Sequence, residues 1–191
     1  DPLLLSSVKR CADVPTDTIL FNIDSKSPLN KDKTAILRVF AKVFYEHCGF
    51  YGDDLKVARL EQFICKSGKT DEFKARFEER NGDSWENVRD AFAFFEDDIV
   101  EVLKDTLHMS ETAARNWFNG SETADMSIEQ LVREIKDYVA GRGKDYRLLF
   151  MIDEMGQYIG SDSDLMLNLQ TIVEEIGRNC GGRVWVMVTS Q

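Results

Sequence analysis

The chain has 191 residues, of which 43% are hydrophobic and 30% are charged, with 34 acidic and 24 basic side chains. This length and apolar content suffice for one globular core, or for one core with an added lobe. The net charge of -10 excludes an overall electrostatic attraction to nucleic acids or anionic membranes. It does not exclude a local basic patch.

Two predicted elements open the chain. Residues 18–24 combine β-branched and aromatic side chains and are followed by a polar stretch, which predicts a strand. Asn30 is the predicted cap of a helix that runs to about His47, because apolar residues then recur at spacings of three and four.

Residues 53–140 predict a lobe of about five short amphipathic helices. This stretch holds 21 acidic and 12 basic residues, so it carries most of the net charge. Polar residues that commonly begin helices precede each apolar cluster, and Ser127 with Gln130 forms a capping-box pattern before the last one. The charges predict a solvated outer face, and an acidic docking surface is the alternative.

Two further predicted strands flank a helix. Residues 146–152 are apolar at successive positions, which is typical of a parallel strand that is covered on both faces. Ser161 is the predicted cap of the helix, and residues 183–189 predict the last strand. Buried strands that alternate with helices indicate an α/β fold with parallel pairing.

This order of elements divides the chain into a core and an insertion. Residues 1–52 and 141–191 would form the α/β core, and residues 53–140 would form a helical insertion lobe. Four scattered cysteines predict reduced thiols in a cytoplasmic protein. Because the chain stops directly after an apolar run, we expect a fragment of a longer polypeptide.

Two acids at the end of the second strand are the strongest candidate for chemistry. Asp153 and Glu154 directly follow the apolar run 148–152, and ligands of α/β sheets bind at the carboxyl ends of the strands. This is the form of a Walker B element, in which the first acid holds Mg²⁺ and the second orients and polarises the attacking water. A strand that merely enters a polar loop is the alternative.

Polar side chains also end the other two strands. Thr189, Ser190 and Gln191 follow the third strand and resemble sensor 1 of AAA+ and related ATPases, where a polar group senses the γ-phosphate or positions water. Asn22 and Asp24 are polar residues on the first strand. In the same superfamily a polar residue on the strand beside Walker B can restrain the catalytic glutamate, which makes Asn22 a candidate to restrain Glu154. Ordinary polar termination of a strand is the alternative for both.

A phosphate-binding loop is missing from the pattern. The segment Ser67–Thr70 reads Ser-Gly-Lys-Thr, as at the end of G-x-x-x-x-G-K-[ST], but Phe63 stands where the first glycine is required. The preceding residues predict a helix, whereas phosphate nests form at strand-to-helix turns. We therefore predict a Walker B element without a Walker A element.

Nearly the whole chain resembles the BrxC family, large P-loop ATPases of bacteriophage exclusion (BREX) defence systems that are similar to the PglY proteins. The most specific match is Ile152-Asp-Glu-Met-Gly-Gln-Tyr-Ile-Gly-Ser-Asp-Ser163, and the 53–140 lobe matches less closely. The other matching stretches are residues 18–27, 35–44, 165–172 and 180–183.

The resemblance implies a partial P-loop NTPase core of the ASCE/AAA+ type. In that fold the sheet order is 5-1-4-3-2, and this chain would supply strands 2, 3 and 4. Asp153 and Glu154 match the family's Walker B pair, and Thr189 to Gln191 match its sensor-1 end. Because the family's Walker A lies upstream of the segment that resembles residue 1, ATP and Mg²⁺ are expected only in the full-length protein, and the isolated chain is expected to be inactive.

The implied partners are other BREX defence components, with no membrane partner. A half-sheet would leave strand 183–189 with a free edge, so we expect self-association or coverage of that edge by the chain's own terminus. One alternative function is a non-catalytic interaction module in which nucleotide acts as a structural switch. A DNA-directed motor is another, and nothing basic in this chain supports it.

Overall fold

The computed structural model describes residues 2–27, 31–119 and 126–190. Contacts divide the chain into two compact units. The first, called here the sheet unit, comprises residues 1–44 and 126–191, and the second, the helical unit, is the continuous segment 45–125. Among the described residues, no helix combines the length and the apolar composition that a membrane crossing requires.

Helices and strands alternate at both ends of the chain, with a run of helices between them. In chain order the elements are α1 (Pro2–Ala12), β1 (Thr16–Asn22), α2 (Ile23–Lys26), α3 (Ala35–His47), α4 (Leu55–Lys66), α5 (Thr70–Asn81), α6 (Trp85–Val88), a 3-10 helix (Arg89–Phe95), α7 (Glu96–Leu107), α8 (Glu111–Asn119), α9 (Ile128–Gly141), β2 (Arg147–Asp153), α10 (Met155–Ile159), α11 (Ser163–Asn179) and β3 (Val184–Val188).

The three strands form one parallel sheet in the order β1-β2-β3. Asn22 pairs with Asp153 at the carboxyl end of the β1–β2 ladder, and Ile152 pairs with Val188 in the β2–β3 ladder. The mixed α/β fold and the parallel pairing predicted from the sequence are therefore confirmed. Because β2 lies in the middle, its carboxyl end is flanked by the ends of both neighbours.

Helices cover one face of this sheet. Phe40 of α3 lies against Phe150 of β2 and Phe21 of β1, with ring centroids 5.2 and 6.4 Å apart, and all three side chains are buried. α11 packs on β3 and on α9. The connections from β1 to β2 and from β2 to β3 lead in the same direction across the sheet. Because such connections are right-handed, their helices lie on the same face.

The opposite face of the sheet is open among the described residues. Its side chains include Leu20, Trp185 and Met187, which are 70%, 60% and 54% exposed, while Leu149 and Met151 are half-buried. The expectation that β2 is covered on both faces is therefore wrong for the described part of the chain. The apolar run in β2 reflects full burial on one face and partial burial on the other.

Local capping fixes several helix starts. Ser127 and Gln130 form the capping box predicted before α9. The cap of α11 is Asp162, whose carboxylate accepts from the backbone N–H groups of residues 164 and 165, so the prediction of Ser161 was wrong by one residue. The predicted cap Asn30 lies outside the described residues.

Aromatic side chains form the centre of the helical unit. The Trp85 ring meets Phe73 and Phe77 edge-on at 5.3 Å between centroids, and all three are buried. Glu61 accepts a 2.7 Å hydrogen bond from Trp85 Nε1 and pairs with Arg89 at 3.0 Å. Because the Glu61 side chain is only 10% exposed, these donors replace its lost water.

The unit boundaries differ from the predicted division. The structure assigns α9 to the sheet unit, so the helical unit spans 45–125 rather than 53–140. The physical reason is the apolar face of α9, whose buried residues pack against α11. Helix periodicity alone does not show which core such a face joins.

Candidate functional site

Polar side chains from all three strand ends meet at the carboxyl edge of the sheet. The register places Asn22 beside Asp153, and the Thr189 backbone N–H donates to the Ile152 carbonyl at 3.0 Å. Asp153 and Thr189 are exposed, whereas Glu154 and Asn22 are half-buried. The parallel sheet thus brings together four of the residues that the sequence singled out.

Glu154 has an unusual backbone conformation. Its φ of 62° and ψ of 20° lie in the left-handed region, which disfavours residues with a Cβ atom. Its N–H donates to Asp153 Oδ1 at 3.0 Å and to Thr189 Oγ1 at 3.2 Å, and its carbonyl accepts from the Tyr158 N–H at 3.1 Å. Contacts on both sides of the residue therefore hold this conformation.

The Glu154 side chain is hydrogen-bonded to Asn22, whose Nδ2 donates to Glu154 Oε2. The orientation of the Asn22 amide is fixed by its other atom, because Oδ1 caps α2 by accepting from the N–H groups of Asp24 and Ser25 at 3.0 and 3.3 Å. A flipped amide would lose the cap and would point an oxygen at a carboxylate. Asn22 is therefore a fixed donor to Glu154.

Thr189 connects the third strand to the acids. Its hydroxyl donates to Asp153 Oδ1 and accepts from the backbone N–H of Glu154. One threonine oxygen thus positions both the first acid and the backbone of the second. Among the described residues, the other carboxylate oxygen of Asp153, Oδ2, makes no hydrogen bond.

Ser190 lies against the first turn of α10. A Cβ atom placed on Gly156 would lie 2.7 Å from Ser190 Cβ and 3.4 Å from its Cα, so this approach requires glycine. Ser190 is otherwise exposed. Gln191 lies outside the described residues.

Carboxylate and hydroxyl oxygens are the donors that suit Mg²⁺, which commonly uses one or two protein carboxylates together with substrate phosphates and water. Asp153 fits this role because it is exposed and has an oxygen without a hydrogen bond in the described chain. No cluster of three or more His, Cys, Asp or Glu side chains with metal-binding geometry occurs in the described part.

Sequence reasoning did not single out Gly156. The glycine two positions after the acid pair was visible in the sequence, but its importance depends on the path of the chain after β3. The Ser67–Lys69 segment connects α4 to α5 rather than a strand to a helix. Lys69 Nζ pairs with Glu72 at 2.6 Å, and both belong to the helical unit.

No protein-family model matches the chain, and no solved structure matches it.

Proposed function

We propose that this chain is part of the ATPase domain of a cytoplasmic BREX phage-defence protein of the BrxC and PglY type. The observation that supports the proposal most is the hydrogen bond from Asn22 to Glu154 at the carboxyl edge of a parallel sheet. An acid that simply ended a strand in a polar loop would not require a fixed donor from the neighbouring strand.

The sheet order is compatible with a P-loop NTPase core of the ASCE/AAA+ type. In that interpretation β1, β2 and β3 correspond to strands 2, 3 and 4, with the acid pair at the end of the middle one. The phosphate-binding loop would come from another segment of the full-length protein. ATP binding is accordingly proposed for that protein and not for this chain alone.

Asp153 is the residue that would hold Mg²⁺. Thr189 donates to one of its oxygens, which leaves Oδ2 directed by that hydrogen bond and available as a ligand. When bound, Mg²⁺ would neutralise charge on the phosphate oxygens.

Glu154 is the proposed catalytic residue, because its second oxygen can orient the attacking water. Asn22 occupies Oε2, whereas Oε1 has no hydrogen-bond partner in the described part of the chain. A carboxylate held at one oxygen presents the other in a defined direction, and phosphoryl transfer depends mainly on such positioning. Thr189 and Ser190 would act as the sensor-1 group beside the γ-phosphate.

The experiment is Glu154→Gln in the full-length protein, with ATP binding and hydrolysis measured separately. We expect ATP binding to be retained and kcat to fall about 100-fold or more, because general-base and positioning effects contribute about that much. Glu174→Gln makes the same chemical change at an exposed position of α11 and should leave kcat unchanged.

A second candidate, an interaction module in which nucleotide acts only as a structural switch, makes the opposite prediction. Full hydrolysis in Glu154→Gln, or full phage defence without hydrolysis, would refute the ATPase proposal.

Other BREX components remain the proposed partners. The acidic helical unit offers them one surface, because residues 45–125 hold 19 acidic and 10 basic side chains.

A further inference from the structure

A second contact joins the short helices that follow Asn22 and Glu154. Ser27, the residue after α2, has its hydroxyl 2.6 Å from the hydroxyl of Tyr158 in α10. Tyr158 is only 4% exposed. Lys31 Nζ lies 3.9 Å from the centre of the same ring, so the chain that follows α2 contacts both the edge and the face of Tyr158.

These contacts close a ring through two short helices. Asn22 caps α2, and Ser27 follows its last residue. Glu154 precedes α10, and its carbonyl accepts from the Tyr158 N–H. One end of the helix pair is therefore tied by Asn22 to Glu154, and the other by Ser27 to Tyr158.

In such a ring each link makes the other less costly to form. Helices of four and five residues have little stability of their own. When the hydroxyl pair holds them side by side, the Asn22 amide and the Glu154 carboxylate meet without further loss of conformational freedom. When it is absent, only the Asn22–Glu154 hydrogen bond of this ring still joins α2 to α10, so the α2 end can shift and weaken that bond.

We propose that Tyr158 and Ser27 are positioning residues, whose hydroxyl pair holds Glu154 in the arrangement bound to Asn22. The catalytic role of this hydroxyl pair rests on the proposed function. The contact itself, and its effect on the Asn22–Glu154 hydrogen bond, are properties of this chain alone. Neither residue is expected to touch substrate, since both act through the two helices.

The chain offers a matched control for the test. Tyr146, just before β2, is 6% exposed and donates a 2.6 Å hydrogen bond to Asp17 Oδ2 near the start of β1. Tyr158→Phe and Tyr146→Phe therefore each remove a buried tyrosine hydroxyl that bonds a partner on the β1 side of the sheet unit. Only the first link lies at the carboxyl edge.

The measurement is the pair of Asn22 Nδ2 proton resonances in ¹⁵N-labelled chain, with their exchange rate with water. We expect Tyr158→Phe and Ser27→Ala each to move these resonances and to speed their exchange several-fold. Ser27→Thr, which keeps a hydroxyl, should restore them, and Tyr146→Phe should leave them unchanged. Because Ser27 is only half-buried, its variants serve even if Tyr158→Phe fails to fold.

Unchanged Asn22 resonances in Ser27→Ala would overturn the inference, as would an equal change in Tyr146→Phe. In the full-length protein we expect Tyr158→Phe to lower kcat about tenfold with KM unchanged, since small misplacements of reacting groups lower rates by up to about 100-fold. If Glu154→Gln keeps full hydrolysis while the resonances respond as expected, the proposed function fails and the positioning contact stands.

Discussion

Glu154 combines a strained backbone with a restrained side chain. A residue with a Cβ atom in the left-handed region costs about 1–2 kcal/mol relative to the right-handed one. Hydrogen bonds to its N–H, its carbonyl and its carboxylate offset that cost. Strain of this kind persists where the surrounding structure over-determines a residue, and such places are often functional.

Glu154→Gly and Glu154→Ala separate the backbone strain from the loss of the side chain. Both remove the hydrogen bond to Asn22, but only glycine adopts a φ of 62° without a Cβ penalty. We expect the glycine variant to be more stable than the alanine variant by about 1 kcal/mol, measured by urea denaturation of the chain.

The same pair of substitutions at Gln170 is the control. Gln170 is exposed within α11, where alanine should be more stable than glycine by about 1 kcal/mol. If the alanine variant is also the more stable one at position 154, the assignment of a left-handed backbone conformation to Glu154 is wrong.

The buried phenol of Tyr146 makes the free energy of unfolding depend on pH in the alkaline range. Its burial, and then its hydrogen bond to Asp17, raise the pKa of the phenol well above the ordinary value. The neutral form is therefore favoured in the folded state. The stability that this provides is present below the unfolded pKa of about 10 and is lost as the pH rises above it.

We expect the free energy of unfolding to fall above about pH 10, and Tyr146→Phe to show a smaller fall. Urea denaturation at a series of pH values measures this, and phenolate absorbance reports the ionisation. Tyr51, whose pKa is also raised, mainly by burial, contributes a fall that Tyr146→Phe leaves in place. An identical pH profile for the two proteins would contradict the assignment.

At the scale of elements, α10 is held against the chain that leaves β3. The approach of Gly156 to Ser190 leaves no room for a methyl group. This contact connects the helix after Glu154 to the end of the third strand. Separation of the two segments would therefore disturb both sides of the candidate site.

Gly156→Ala should destabilise the chain by about 1–3 kcal/mol, the usual cost of an added methylene in a tight contact. Ser190→Gly removes the facing Cβ and should recover most of this loss. Urea denaturation of the two single variants and the double variant gives the coupling between them. Additive effects, with no recovery in the double variant, would show that the two positions do not touch.

Periodicity and strand-end chemistry could predict the sheet but not its details. The apolar runs predicted all three strands, and the capping pattern of Ser127 predicted the start of α9. The predicted strand 18–24 instead ends at Asn22, because the Asn22 side chain caps α2. Whether the chain after Asn22 continues the strand or begins a helix is decided by residues that are neighbours in space, and a single sequence does not show which residues these are.

One of the short helices predicted in the 53–140 lobe is likewise interrupted. A 3-10 segment with non-helical angles at Ala91 replaces its middle, because Phe92 stacks on Phe118 and Phe95 meets Phe77. Tertiary packing overrides helix propensity here. For the site, chain spacing could place the polar residues at one edge, but the left-handed Glu154 and the Ser27–Tyr158 contact depend on connections that have no sequence pattern.

At the scale of the whole molecule, the sheet has a bare apolar face and an edge strand. Trp185 and Met187 are exposed on β3, and no described strand pairs with its outer edge. Exposed apolar strands of this kind promote association. We therefore retain self-association as a proposal.

We expect the isolated chain to show a mass that rises with concentration in light scattering. Replacement of Trp185 and Met187 by threonine, which suits a strand, should shift it toward the monomer. Phe94→Thr removes an aromatic side chain that is 90% exposed in the helical unit and should have no such effect. A monomeric mass for the unmodified chain at every concentration would contradict the proposal.

The helical unit is one unbroken stretch of chain, whereas the sheet unit is made from both sides of it. During synthesis the ribosome therefore completes every residue of the helical unit before the first residue of β2 exists. Meanwhile β1, already outside the tunnel, has no neighbour for its backbone N–H and C=O groups. Nascent chains of this protein would thus contain the complete helical unit while β1 still lacks its partner strand. An unpaired strand is the kind of segment that chaperones protect.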